Sequence, residues 1–514
     1  MRQSHLMITN AAVMWTTQVL NLVPQLVLVP FLIGTIGESG YGIYALVWPL
    51  LLSIDLLEMS LQRGVVKDSA AFLATGRIDE VNKVVSSSFV YSVFVAAAAC
   101  LGILAVSRLY AGPSGGLGRA LTLVGLMVLL IIPLTPYVAV IQSRRRYDVG
   151  AIALTASKYV GLAAVIVWFR AVGPSIEALI VITMTALFLS RLAPVPVAHR
   201  LVPGLRNRPG SFDGRTFRRI TVFGAAMVLV SLCLAANSTG IRWLMGALES
   251  TGFVARLAIM LVPGLVLSQG IYAVTLTIMP ATSSYEASGN VRMLKELLIR
   301  SMRYTTILIG AVGIAAVLLM RGVLSLWVGR EYAFLAPYAL ALLAGLSFML
   351  STSSVHHMLK GLGRLRAVVL IYLVGLVIVP VAVILAVHRL GHDPYAAVTA
   401  GLAAGNLVCG CLHIGVGVKL VRAGLREMLG RVYASVPLAA AAGLVAFAAV
   451  RAGGIGSLPG RAAAAFIAVL LFFAGCYGLI STPAERKQLK ELPRAILSTI
   501  AARRRAATPP AEEP

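Results

Sequence analysis

The sequence predicts an all-α, polytopic membrane protein of about fourteen spans. Three observations carry that reading. The 514 residues are 59% hydrophobic and only 12% charged, where a soluble domain carries about 25% charged residues. Mean hydropathy is +0.89. Apolar runs long enough to cross roughly 30 Å of hydrocarbon recur from end to end, and they lack the short alternating segments of a membrane β-barrel.

The runs lie near residues 11–36, 41–63, 84–107, 119–142, 149–170, 175–198, 220–246, 252–280, 304–327, 336–359, 367–388, 395–418, 432–451 and 461–482. The first is too long for a cleavable signal peptide and lacks a small-residue cleavage site, so it is expected to remain as a span. All five cysteines (Cys100, Cys233, Cys409, Cys411, Cys476) fall inside these runs, which implies no disulfide framework.

The formal charge of +25 follows the positive-inside pattern, because Lys and Arg concentrate in every second connection. These hold Arg144 to Arg146, the stretch RLVPGLRNRPGSFDGRTFRR from Arg200, Lys360 with Arg364 and Arg366, and Lys419 with Arg422, Arg426 and Arg431. Those connections and both termini are expected to be cytoplasmic. Anionic lipid of the inner leaflet is then a sufficient partner, and no nucleic acid is called for.

The chain repeats itself. LIGTIGESGYGIYAL from Leu32 resembles LMGALESTGFVARLA from Leu244, and ATGRIDEVNKVV from Ala74 resembles ASGNVRMLKELL from Ala287. Ile78, Val81, Val84 and Val85 in one copy, and Val291, Leu294, Leu297 and Leu298 in the other, recur at helical spacing. Each reads as an amphipathic surface helix leading into the next span. An even number of spans separates the copies, so they share one orientation. That implies two parallel six-helix lobes around a central cavity. The expected organisation is residues 1–200 for the first lobe, 201–219 for a cytoplasmic linker, and 220–420 for the second lobe. Residues 421–482 hold two additional helices, and 483–514 a basic amphipathic tail.

Function must be read from polar groups that lipid would not tolerate. Gln18, Asn21 and Gln25 form one polar face on the first span, and Asn237 occupies the repeat position equivalent to Gln25. They either line a cavity or bond between helices. Lys158 lies about nine residues into its span, roughly 14 Å at 1.5 Å per residue. That is deep for snorkelling, so an anionic ligand or a protein carboxylate is its expected partner. Arg191, Arg242 and Arg256 lie nearer span ends, where snorkelling and lining a pathway are both open. Asp55 and Glu58, three residues apart, project from neighbouring positions on one helix face. Two close carboxylates oppose each other's ionisation, which suits proton or cation coupling; Glu58 can also simply reach the headgroups.

CGCLH at Cys409 to His413 invites a metal reading, but Cys409 and His413 share a helix face that Cys411 does not, so no metal site is expected. His356 and His357 fall at a span end and are expected at the interface. No phosphate-binding glycine loop and no Ser/His/Asp constellation presents itself, so no cofactor and no enzyme activity is expected.

Asn10, Trp15, a proline-interrupted span and LIGTIGESGYGIYAL together resemble the polysaccharide flippases of the multidrug/oligosaccharidyl-lipid/polysaccharide exporter superfamily. These include the O-antigen and teichuronic-acid repeat-unit exporters. LLEMSLQRGVVKDSAAFLATGRIDEVNK is similar to that family's acid-x-Gly-Leu segment, with Glu58 at the acid, Arg63 at the basic position and Ser60 where glycine is usual. The resemblance implies a flippase of the bacterial cytoplasmic (inner) membrane. It would move an undecaprenyl-pyrophosphate-linked oligosaccharide to the outer leaflet by alternating access. Its partners would be that lipid-linked oligosaccharide, anionic lipids, a coupling H+ or Na+, and other polysaccharide assembly proteins. Lys158, Arg242 and Arg256 would attract phosphate, while Gln18, Asn21, Gln25 and Asn237 would bond sugars. Asp55 and Glu58 would couple or gate. The rivals are a cation-coupled multidrug exporter, whose usual first-span acid is missing, and a lipid II flippase, whose arginine-rich opening segment is not recognisable. A membrane glycan polymerase or transferase would need larger outer loops than these.

Overall fold

The structure, a computed structural model, describes residues 16–17, 20–109, 116–275, 278–480 and 486. Among them every regular element is helical. Twelve helices of the described residues are long and apolar enough to cross a membrane. The first of these is broken at Gly37 (φ 73°, ψ 175°), a backbone region that a side chain disfavours. Splitting there makes thirteen rods, and residues 214–248 make the fourteenth. The protein is thus the multi-pass helical membrane protein its composition predicts. In order the rods are α1 (22–36), α2 (38–74), α3 (Ile78–Leu109), α4 (Gly116–Ser143), α5 (Tyr147–Ala171), α6 (Ile176–Leu201), α7 (214–248) and α8 (Thr251–Thr275). There follow α9 (Val291–Trp327), α10 (Arg330–Gly361), α11 (Leu365–Arg389), α12 (Pro394–Leu420), α13 (Leu425–Ala452) and α14 (Leu458–Ile480).

The repeat is written into the helix ends. Gly37 breaks α1 from α2. Its equivalent, Glu249, leaves helical geometry between α7 and α8. Gly76 (φ 70°) and Gly289 (φ 66°) turn the chain after the second rod of each copy. Where the next helix starts, side chains cap it: Ser175 accepts from Ala178 N, Asp213 from Thr216 N, Asn290 from Met293 N and Asp393 from Ala396 N.

The helices form two compact units. One runs through Leu294 and resumes over Arg321–Val421; the other joins Lys295–Met320 to the chain from Arg422. In the first unit, Val47, Ile103, Leu121, Val124 and Met184 form a core among α2, α3, α4 and α6. In the second, Ile314, Val450, Ala468 and Phe472 join α9, α13 and α14. Large apolar side chains elsewhere on the spans stay exposed, Leu101 at 68% and Phe466 at 65% among them. That is expected where the outer solvent is lipid.

Each amphipathic stretch runs without a break into its span, α3 from Ile78 and α9 from Val291. Val81, Val84 and Val85 are fully buried in the first turns of an unbroken α3. The basic connection before α7 is fastened to the same end of α3. Asn82 Nδ2 donates to the Gly204 carbonyl at 3.2 Å, and Asn82 Oδ1 accepts from Arg206 N at 2.8 Å. Ser86 accepts from Arg208 N and Ser87 from Asp213 N.

Candidate functional site

Pro24 and Pro30 in α1, Pro49 in α2 and Pro380 in α11 shape the site. Proline has no N–H, so the carbonyl four residues earlier loses its helical donor. In hydrocarbon that oxygen must find another. All four do, from distant helices. The Tyr159 hydroxyl donates to the Leu20 carbonyl at 3.0 Å, and the Trp327 indole to Leu26 at 2.7 Å. Arg242 Nη1 donates to Ala45 at 3.3 Å, and Asn237 Nδ2 to Leu376 at 3.0 Å. Asn237 sits in a π-helical turn, Ala236–Gly240, and Leu376 in another, Leu373–Ile378. Such widened turns recur at functional sites.

These bonds border a cavity of about 490 Å³, within the usual span for ligand pockets of about 300–1,000 Å³. Asn21 and Gln25 of α1, Lys158 of α5, and Asn237 and Arg242 of α7 line it, five of the seven residues expected to bind substrate. Gln25 and Asn237, the repeat equivalents, therefore face one space. Asn21 Oδ1 and Arg242 Nε are buried with no hydrogen-bond partner among the described residues. A buried polar atom left unpaired costs about 1–3 kcal/mol, a cost the fold carries at these two residues behind the cavity surface. No Asp or Glu is among the described residues of the lining.

Two expected residues stand differently. Arg256 is outside the lining, since its guanidinium grips Glu38, Nη2 to Oε2 at 2.8 Å, and its Nη1 donates to the Tyr395 hydroxyl at 3.0 Å. Glu38 follows the Gly37 break, which brings the carboxylate within reach. Gln18 lies outside the described residues. Asp55 and Glu58 lie on the continuous helix of α2, but their side chains are outside the description too. The sequence reading missed Gln269 and Asn406, which also line the cavity; the signal available was a lone amide in an apolar span. It missed the aromatic ladder of Tyr41, Tyr44 and Trp48 as well, whose i, i+3, i+7 spacing was legible.

CGCLH splits as its spacing requires: Cys409 and His413 are buried and Cys411 is exposed. His356, expected at a span end, is buried within the protein and stacked on Tyr372, with ring centroids 4.9 Å apart.

No protein-family model matches the chain, and no curated protein does. Solved structures match closely in shape. A multidrug resistance MATE family transporter of the MOP superfamily, in its inward-facing conformation, aligns with a TM-score of 0.68 and 13% identity, over 81% of this chain and 99% of that one. The lipid II flippase MurJ, in an inward closed conformation, aligns with a TM-score of 0.67 and 12% identity, over 91% and 99%. A eukaryotic MATE transporter aligns with a TM-score of 0.60 and 13% identity, over 83% and 97%. The chain has the MATE and MurJ fold. At these identities the likeness establishes the MATE and MurJ architecture, and chemistry must be argued from the residues of the cavity.

Proposed function

We propose that this protein is a flippase for a lipid-linked anionic oligosaccharide, an undecaprenyl-pyrophosphate repeat unit, carried from the inner to the outer leaflet by alternating access. The observation that carries the reading is the character of the cavity: Lys158 and Arg242 stand among amides, with no carboxylate among the described lining residues. Such a wall attracts phosphate and offers sugars both donors and acceptors. A cationic drug would want the opposite charge. The flippase neighbour also spans more of this chain than the two MATE transporters above do, 91% against 81% and 83%. In this reading Lys158 and Arg242 hold phosphate, and Asn21, Gln25 and Asn237 bond sugar hydroxyls. Asp55 and Glu58 couple the cycle to H+ or Na+, and Arg256 with Glu38 fastens helix ends rather than binding cargo. The protein belongs in the bacterial inner membrane with both termini cytoplasmic.

The test is reconstitution into liposomes carrying a lipid-linked glycan, read by leaflet accessibility. Wild-type protein should flip it, and Lys158→Ala and Asp55→Asn should each lose flipping at least tenfold with normal membrane insertion. Wild-type protein that leaves the glycan in place while expelling a cationic dye overturns the proposal in favour of a drug exporter. Wild-type rates in both variants would remove those residues from the mechanism.

A further inference from the structure

The proposed cavity does not use the histidines of α10 and α12, and their hydrogen bonds single one of them out. Thr352 Oγ1 lies 2.7 Å from the Met349 carbonyl and 3.1 Å from His413 Nδ1. A hydroxyl has one proton. If it goes to the carbonyl, which has only acceptor capacity, then Nδ1 must carry a hydrogen and donate to Thr352. Both bonds are then made, whereas the other tautomer sacrifices one and buries an unpaired N–H. The ring then carries its hydrogen at Nδ1, and in the neutral form it leaves a bare lone pair on Nε2. That nitrogen is buried without a partner among the described residues, in a residue only 1% exposed.

The surroundings are apolar and aromatic. The titratable groups facing His413 are His356 of α10, ring centroids 6.3 Å away, and Tyr372 of α11 at 6.0 Å. Cys409 lies one turn earlier on its own helix, also buried. No carboxylate, lysine or arginine bonds it among the described residues. His357, the neighbour of His356, is turned to Thr275, its Nε2 3.2 Å from Oγ1. An imidazolium would be poorly solvated in such a pocket, so a proton on Nε2 requires the helices around it to part.

We infer that His413 Nε2 is a proton-binding site whose occupancy is tied to the state of the cavity, empty while α10, α11 and α12 are packed as here and filled when they separate. The link to the cavity is direct. Met349, whose carbonyl shares Thr352 with His413, lines it, and so do Asn406, two turns before His413, and Leu376, one turn beyond Tyr372. Two arrangements with different proton affinity are biased by pH, the open one gaining as pH falls. This inference does not depend on what the cavity carries.

Hydrogen exchange on the protein in lipid nanodiscs, between pH 8 and pH 5 and corrected for intrinsic chemical exchange, tests it. Peptides covering residues 349–358 and 405–415 should be protected at pH 8 and exchange at least tenfold faster at pH 5. His413→Gln, which is polar but cannot titrate, should hold them protected throughout. His356→Gln should keep the response. The same acid opening in His413→Gln, or constant protection in wild type, overturns the inference. Should His413→Gln fail to fold, Thr352→Val keeps the imidazole and removes its anchor. Its transition midpoint should then move by at least half a pH unit, and an unmoved midpoint overturns the site.

Discussion

Asn237 donates to the Leu376 carbonyl at 3.0 Å, the oxygen that Pro380, four residues on, leaves without a helical donor. The bond joins α7 to α11 beside the cavity, and the same relation recurs at Pro24, Pro30 and Pro49. Proline here opens an acceptor that another helix then claims. Pro380→Ala should return an N–H to Leu376 and compete with Asn237. The stability lost on Asn237→Ala should then shrink by about 1 kcal/mol in the Pro380→Ala background, as read from thermal unfolding of the four proteins in one detergent. Strict additivity would show that the freed carbonyl is not what Asn237 serves.

Arg256 and Glu38, 218 residues apart in sequence, should behave as a unit. Both side chains are partly exposed, at 39% and 25%, so the pair is expected to contribute roughly 1 kcal/mol or less. Arg256→Gln, Glu38→Gln and the double variant should lower the melting temperature by similar amounts. A double variant with twice the loss would mean that the residues act separately.

Glycine packing separates two positions on α12. A Cβ on Gly405 would lie 2.4 Å from the Gly375 carbonyl oxygen and 2.4 Å from Pro380 Cγ, while one on Gly415 would meet nothing within 4 Å. Gly405→Ala should destabilise by about 1–3 kcal/mol through overpacking. Gly415→Ala should be neutral or gain up to about 1 kcal/mol from helix propensity. Unfolding in one detergent compares them directly.

Asp213 caps α7, accepting from Thr216 N at 2.8 Å. Bonds from the Thr216 side chain and backbone hold its carboxyl below the usual carboxylate range. A carboxyl depressed in the folded state contributes stability above its unfolded pKa, and that contribution disappears as pH falls through the folded value. Asp213→Asn still caps but cannot titrate. Wild type should therefore exceed it in melting temperature near pH 6, and the gap should close below about pH 3. A gap constant with pH would refute the assignment.

Much of the site was legible because lipid penalises polar atoms regardless of fold. Asn21, Gln25, Lys158, Asn237 and Arg242 stood out against apolar spans, and all five line the cavity. Asn82 did not stand out, because an asparagine near a helix start looks like any solvated residue; only the connection folding back over it shows that it binds two backbone groups. The partners of Arg256 and His356 were not legible for a related reason. Depth along a helix can be counted from the sequence, but which neighbour waits at that depth cannot.

The amino-acid order alone determined the membrane solvent, the fourteen helical rods and the equivalence of Gln25 with Asn237, because hydrophobic run length and repeated turns are local properties of the chain. Tertiary structure alone decided which prolines hand a carbonyl to which side chain, that Glu38 occupies Arg256, and that His413 is sealed beside Thr352. Those depend on contacts between residues far apart in the chain, and a hydrogen bond's geometry exists only once the helices have packed.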